Sequence, residues 1–345
     1  MGDANSKAEI TDLKISLEGH GISGASDVFR DDVNLQFVRN GETHTIPIRK
    51  RIKKQAAMTQ AFDSQKGFDD LEKDYGKERA EANYRQGKAL KELFPQEIDV
   101  IQKLNDLKNP YVPKIGKVAD DKLSYEMEYI WGKSVKSATY GGTNTETKLV
   151  IVDQALTAIE SVMKDGFINL EYAPKNMITQ IDNQTGKSTG VILLDFGLAY
   201  PIDENGNVEI DMDLLKQAKV RIRYDEDGPG LVPPEAVEAT GKVTINAEKA
   251  LVWSLATRLI LDLLNREPIK DHKLFFSRCR DKNPDNRPTF KEFLEFYRSI
   301  PFDKSKVGPN LSAKQLEEMK NLLGRRDKEI YIDEEKLNKA LKELP

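Results

Sequence analysis

The sequence predicts an α+β chain of two unequal lobes, a small antiparallel one of five strands followed by a larger, mainly helical one. Three observations predict it. The first fifty residues alternate apolar and polar side chains between Gly and Asn turns. A polar, proline-free stretch and then a helix-period stripe follow. Beyond a Gly/Ser/Thr-rich segment at 132–147 the periodicity is helical except near 176–195. The 345 residues are 39% hydrophobic and 32% charged, which supplies a sizeable core and excludes wholesale disorder. Lys and Arg number 53 against 57 Asp and Glu, for a formal charge of −4, so charge implies no nucleic-acid or membrane partner.

Taken in order, LKISLEGHG, SDVFRDDVNLQFV and THTIPIRKRI read as three antiparallel strands, the second pair joined by a hairpin at Asn40 and Gly41. Residues 55–94 have apolar positions too sparse for a core strand and read as one or two exposed helices. A better helix is expected from Pro95, since proline suits a first turn and Ile98, Ile101 and Leu104 form one stripe. Two more strands are expected around 115–118 and 123–130, completing the five. After the Gly/Ser/Thr-rich segment, Val150, Leu156, Ile159, Val162 and Met163 mark a helix. ALVWSLATRLILDLL, from Ala250 to Leu264, is interrupted by Arg258 and Asp262 and falls short of the ~20 residues that cross a bilayer, so it reads as a buried helix. LSAKQLEEMKNLLG and DEEKLNKALKEL read as appended helices. The single cysteine, Cys279, excludes a disulfide framework and a Cys-based zinc site. His20, His44 and His272 show no metal spacing, and no secretory leader pattern opens the chain.

The chemistry is carried by two segments. VILLDFGLAY puts Asp195 directly after four buried-type aliphatic residues, at a strand end, where a carboxylate can reach a metal. LEYAPKNMI places Glu171 and Asn176 just ahead of an aliphatic strand start at Met177 and Ile178. An amide oxygen and a carboxylate converging from adjacent strands suit Mg²⁺, a hard cation that takes oxygen ligands and keeps water or phosphate oxygens in its remaining positions.

With these motifs, roughly residues 14–300 resemble the eukaryotic-type protein kinase superfamily, with its landmarks in order. NPYVPKI resembles the segment joining the regulatory helix to the fourth strand. LSYEMEYIWGKSV resembles the fifth strand and hinge, with Met127 as gatekeeper and Glu128 to Ile130 as hinge. GLVPPEA resembles the end of an activation segment, and RDKNPDNRPTF the late arginine motif, which makes Arg287 the expected ion-pair partner of Glu235. The resemblance implies a bilobal protein-kinase-like fold. Its parts would be a tail at 1–13, a small lobe at 14–131 with an insertion at about 55–94, a large lobe at 132–300, and a helical extension at 301–345.

The resemblance also implies ATP and Mg²⁺ as cofactors. Asn176 and Asp195 would hold the metal, and Ile48, Met127, Ile130 and Ile178 would surround the adenine. EGHGISGASDVF would cradle phosphates by backbone N–H groups. Its register stays open: one alignment uses Gly19, Gly21 and Gly24, the other Gly21 with Ser23 and Ser26 in place of two glycines and Val28 over the adenine. In IPIRKRIKK, alternation groups Ile46, Ile48, Lys50 and Ile52 on one face, so Lys50 points into the cleft, where the resemblance implies a phosphate-binding lysine. Its glutamate partner is Glu97, with Glu92 as the alternative.

Several positions depart from the family. Its His-Arg-Asp triplet falls on Asn169, Leu170 and Glu171, so the base is a carboxylate one methylene too long. Ala173 replaces the usual lysine, yet Lys175 keeps a cation in the loop that can neutralise a transferring phosphoryl group. Leu251 stands where the central helix usually has an Asp that braces the catalytic loop. Between Asp195 and Glu235 there is no Ser or Thr, only Tyr200 and Tyr224, so a phosphoserine or phosphothreonine switch is not expected there.

The expected activity is phosphotransfer to a protein hydroxyl, Ser or Thr favoured and Tyr open, with Glu171, Lys175 and Lys50 as the catalytic set. The alternatives are a pseudokinase acting as a binding or allosteric module, and a kinase-fold enzyme with other nucleotide chemistry. A protein substrate or partner is expected, with no nucleic acid and no transmembrane segment. The 55–94 insertion is either a regulatory, partner-binding element or an inert one, and the C-terminal helices either bind a partner or pack on the large lobe. Retained landmarks around a rewritten loop resemble kinase-like effectors of bacterial pathogens, so the expected location is cytoplasmic and soluble, or the host cytosol for such an effector.

Overall fold

Alternation in the N-terminal segments produces short strands, and a computed structural model shows how they pair. It describes residues 10–15, 26–28, 35–39, 42–45, 48–52, 72–73, 76–127, 130, 132–139, 143–181, 187–218, 232–260 and 272–308. Strands β1 (Ile10–Ile15), β3 (Leu35–Arg39) and β4 (Glu42–Thr45) form one antiparallel sheet in the order β1-β3-β4. Arg39 stands opposite Glu42, the register of the expected hairpin, whose turn residues Asn40 and Gly41 lie outside the described residues. A second sheet has the order β2-β5-β7-β6, from β2 (Ser26–Val28), β5 (Ile48–Ile52), β6 (Ile115–Val118) and β7 (Ser124–Met127).

A three-stranded and a four-stranded sheet thus take the place of the five-stranded one expected. Two expected strands each contribute to both sheets, one as β2 and β3 and the other as β4 and β5. Charged Arg30, Asp31 and Asp32 lie between β2 and β3, and Pro47, which has no N–H to give a ladder, lies between β4 and β5.

The expected start of a helix at Pro95 is also corrected. Helix α1 (Lys77–Asp106) runs through Pro95 for 30 residues. An internal proline costs ~3 kcal/mol, but burial of Leu93, Phe94, Ile98, Ile101 and Leu104, each ~1.5–3 kcal/mol, outweighs it. The upstream half is anchored as well: Gln86 Nε2 donates to the Ala218 carbonyl at 3.4 Å. Residues 77–94 are therefore the first turns of this helix rather than a separate exposed one.

Beyond it, β8 (Gly132–Ser134), β10 (Met177–Ile181) and β11 (Ser188–Leu193) form a sheet in the order β11-β10-β8. Strand β9 (Phe167–Asn169) pairs with β12 (Ala199–Pro201), and β13 (Asn207–Asp211) with β14 (Lys242–Asn246). This half is mixed rather than mainly helical, because segments such as NVEID and KVTIN alternate with period two over too few residues to stand out. The helices are α2 (Val135–Thr139), α3 (Thr145–Lys164), α4 (Met212–Gln217), α5 (Pro234–Val237), α6 (Ala247–Ser254), α7 (Lys273–Cys279) and α8 (Phe290–Ser299).

Helix α3 begins where the Asn144 side chain accepts the Thr147 N–H, and it buries Leu149, Ile151, Val152, Leu156, Ile159 and Val162. Val150 and Met163, expected in that stripe, are only half-buried on its flanks. Helix α6 buries Ala250, Leu251, Val252 and Trp253, with Leu251 and Val252 at 0% exposure, and widens into a π-helical turn at Leu255–Leu259. Cys279 is buried, which pushes its thiol up to about 12. Among the described residues no helix is long and apolar enough to cross a membrane.

Candidate functional site

The pairing of β10 with β11 brings the two chemistry-bearing segments together. Met177 stands opposite Leu193 and Ile178 opposite Ile192, so Asn176, just before β10, lies beside Leu194 and Asp195, just after β11. Leu194 N–H donates to the Asn176 carbonyl at 2.8 Å, and the Asn176 N–H is taken by the Ala173 carbonyl at 2.8 Å. Its side chain is different. Asn176 is 1% exposed, yet neither Oδ1 nor Nδ2 has a hydrogen-bond partner. A buried unpaired amide costs ~1–3 kcal/mol and is rare in a folded protein.

Asp195 has φ 61°, in the left-handed region that costs an L-residue ~1–2 kcal/mol, though Asp tolerates it better than most. Among the described residues, two other non-glycine residues, Lys108 and Lys122, share that conformation, both in turns. At Asp195 it is held by Asn169, whose Nδ2 donates to the Asp195 carbonyl at 2.8 Å while its Oδ1 accepts the Glu171 N–H at 2.9 Å. One buried amide therefore ties the 169–176 loop to the Asp195 turn.

Glu171 is half-buried, with Lys175 Nζ 3.5 Å from its Oε1. Burial raises its carboxyl above the ordinary range, and the nearby negative charge of Asp195 raises it further. The positive charges of Lys175 and Arg258 oppose both. Leu170 is fixed from two sides: its N–H donates to the Leu198 carbonyl at 3.0 Å, and its carbonyl accepts from Ser254 Oγ on α6 at 2.9 Å.

On the other side, Glu97 is 3% exposed on α1 and accepts a hydrogen bond from Tyr125 Oη at 3.1 Å. Tyr125 on β7 stands directly opposite Lys50 on β5, and Val28 stands opposite Lys50 on the other edge. Met127 is buried and opposite Ile48, while Ile130 and Ile178 are half-buried. Val28, Ile48 and Lys50 enter by these register positions. Gly21, Gly24 and Glu128 lie outside the described residues, as do Gly19, Ser23, Tyr224 and the extension beyond 308. Glu92 lies on the same helix as Glu97 but is exposed.

The expected Glu235–Arg287 pair is present and bidentate, with Nη1 to Oε1 at 2.9 Å and Nη2 to Oε2 at 2.7 Å. Tyr200, one of the two tyrosines between Asp195 and Glu235, is 6% exposed.

Sequence reasoning missed Asn169, Ser254 and Arg258 as parts of this site. Asn169 was legible only as a departure from a family triplet. Ser254 and Arg258 are polar residues one turn apart inside an apolar helix, which was a signal, although nothing in the sequence says what they face. Among the described residues no group of three or more His, Cys, Asp or Glu gathers around a metal-sized space, so the oxygen donors Asn176 and Asp195 would leave most metal positions to other ligands. No family model matches the chain, and comparison with curated proteins finds none that matches it.

Proposed function

We propose that the chain is an ATP- and Mg²⁺-dependent phosphotransferase acting on a protein hydroxyl, with Glu171 as general base. What supports the reading above all is Asn176, a buried amide whose oxygen and nitrogen lack protein partners, placed beside an Asp195 held in the left-handed region. That donor set would suit a hard cation, which takes oxygen ligands. Asn176 and Asp195 would hold Mg²⁺, and Lys50, supported by Glu97, would hold the nucleotide phosphates. ATP with Mg²⁺ supplies the phosphoryl group and offsets its charge.

The protein's own part is positioning and proton transfer. Glu171 Oε takes the proton of the substrate hydroxyl, and its raised carboxyl is the better acceptor for it. Lys175, 3.5 Å away, offsets negative charge in the same loop. The test is transfer from γ-labelled ATP in the presence of Mg²⁺. Asp195→Ala should abolish it, and Glu171→Gln should lower the rate by about 10² to 10⁴ with nucleotide affinity nearly unchanged.

A second reading, a pseudokinase that binds nucleotide without transfer, is favoured by Leu170 and Leu251. Both are at 0% exposure, apolar where the family places charged groups around its base. Stabilisation by Mg·ATP with no transfer under any divalent metal selects that reading; neither stabilisation nor transfer defeats both.

A further inference from the structure

One turn of α1 is held from two sides. Tyr125 of β7 packs its ring against Phe94, with centroids 5.8 Å apart, and donates its Oη to Glu97 Oε1 at 3.1 Å. Phe94 and Glu97 are three residues apart, so they share a side of the helix, and both are buried. Between them, Gln96 gives its Nε2 to the Ala199 carbonyl of β12 at 2.6 Å, just beyond the Asp195 turn.

That a tyrosine makes the bond has a chemical consequence. A carboxylate buried as deeply as Glu97 needs partners, and a phenol supplies one O–H donor without a charge. Tyr125 therefore fixes Oε1 while leaving the carboxylate's charge to be met by a cation. An arginine in its place would fix Glu97 and neutralise it together. The cation position is set by the sheet: Lys50 stands directly opposite Tyr125, and opposite positions of an antiparallel pair lie on one face. Register thus brings the lysine position to the face of the phenol that holds the glutamate.

We infer that Tyr125 is a positioning residue, which holds the Glu97 carboxylate of α1 where it serves Lys50 and so governs how the nucleotide phosphates are bound. The inference deepens the phosphotransfer reading and rests on its nucleotide site. Tyr125 itself touches no nucleotide, being 1% exposed between α1 and the sheet, and its effect on binding passes through Glu97 and Lys50. Its hydroxyl matters for phosphates and not for the base or sugar, and this separates positioning from packing.

The test is calorimetric titration of the full chain with Mg·ATP and with adenosine, which lacks the phosphates and reports on the rest of the pocket. Tyr125→Phe keeps the ring on Phe94 and removes the hydroxyl. It should weaken Mg·ATP about tenfold, the scale of one hydrogen bond to a charged group, and leave adenosine affinity as in wild type. Lys50→Met should also weaken Mg·ATP, and in that background Tyr125→Phe should cost nothing further, since nothing is left for it to act through. Glu97→Gln, which keeps an oxygen for the phenol and loses the charge, should weaken Mg·ATP and spare adenosine, a check that does not depend on how Tyr125→Phe folds. Wild-type Mg·ATP affinity in Tyr125→Phe or Glu97→Gln, equal weakening of adenosine, or a further loss in the Lys50→Met background would overturn the assignment and leave the nucleotide site standing. A wild type that binds neither ligand defeats the nucleotide site itself, and the assignment with it.

Discussion

Arg287 and Asn176 are both about 1% exposed, and the fold treats them in opposite ways. Every arm of Arg287 is engaged: two bonds to Glu235, one from Nε to the Asp281 carbonyl at 2.8 Å, and one from Nη1 to the Lys249 carbonyl at 3.1 Å. Asn176 has a satisfied backbone and a side chain with no partner at either polar atom. Since folding penalises unpaired buried polar groups strongly, a closed network is explained by the fold itself, and the open one at Asn176 is the signal on which its proposed metal role rests.

That contrast breaks most visibly at Arg287. Arg287→Leu leaves the Glu235 carboxylate, 18% exposed, without its cation, and should cost about 3–5 kcal/mol in denaturant unfolding. A cost near zero would mean that the pair is not what closes this region. Asn176→Leu sharpens the other side, because it removes an unpaired amide at similar volume. It should raise stability by about 1–3 kcal/mol while removing stabilisation by Mg·ATP. Loss of stability together with unchanged Mg·ATP response would make Asn176 an ordinary packing residue.

The Arg287–Glu235 pair was legible in the sequence because both ends sit in recognisable motifs. So was the meeting of Asn176 and Asp195, because each flanks an aliphatic strand that must pair. That β2 and β3, and likewise β4 and β5, lie in different sheets was legible only as the local disfavour of Arg30–Asp32 and Pro47 for a strand. Continuation of α1 through Pro95 was not legible at all: the residues that outweigh the proline, Leu93 and Phe94, are buried by partners far along the chain. For the same reason Ser254 showed only as a hydroxyl in an apolar run, with its acceptor on a distant loop.

Ser254 ranks next in expected effect. Its hydroxyl is the tie between the Leu170 carbonyl and α6, at the position in the fold where Leu251 offers no polar group. Ser254→Ala leaves that carbonyl unpaired at its α6 side and should cost about 1–2 kcal/mol. If the comparison holds, this polar residue behaves like Arg287, lowering stability without altering Mg·ATP affinity. A variant as stable as wild type would show that the loop is held by its backbone bond to Leu198 alone.

Glu171 gives the smallest and most diagnostic effect, because Lys175 and Arg258 offset part of what burial and Asp195 do to it. Its carboxyl is raised in the folded state, so between the unfolded and folded values the native protein holds more protons than the unfolded chain. Stability therefore falls as pH rises through that window, and the favourable contribution is complete only below the unfolded value. Glu171→Gln carries no charge at any pH and lacks this slope. The difference in unfolding free energy, variant minus wild type, should grow as pH rises from the acid side and level off once wild-type Glu171 is ionised. Parallel stability curves for the two proteins would show that Glu171 titrates as an ordinary surface carboxylate, and would remove the environmental tuning that suits it to accept a proton.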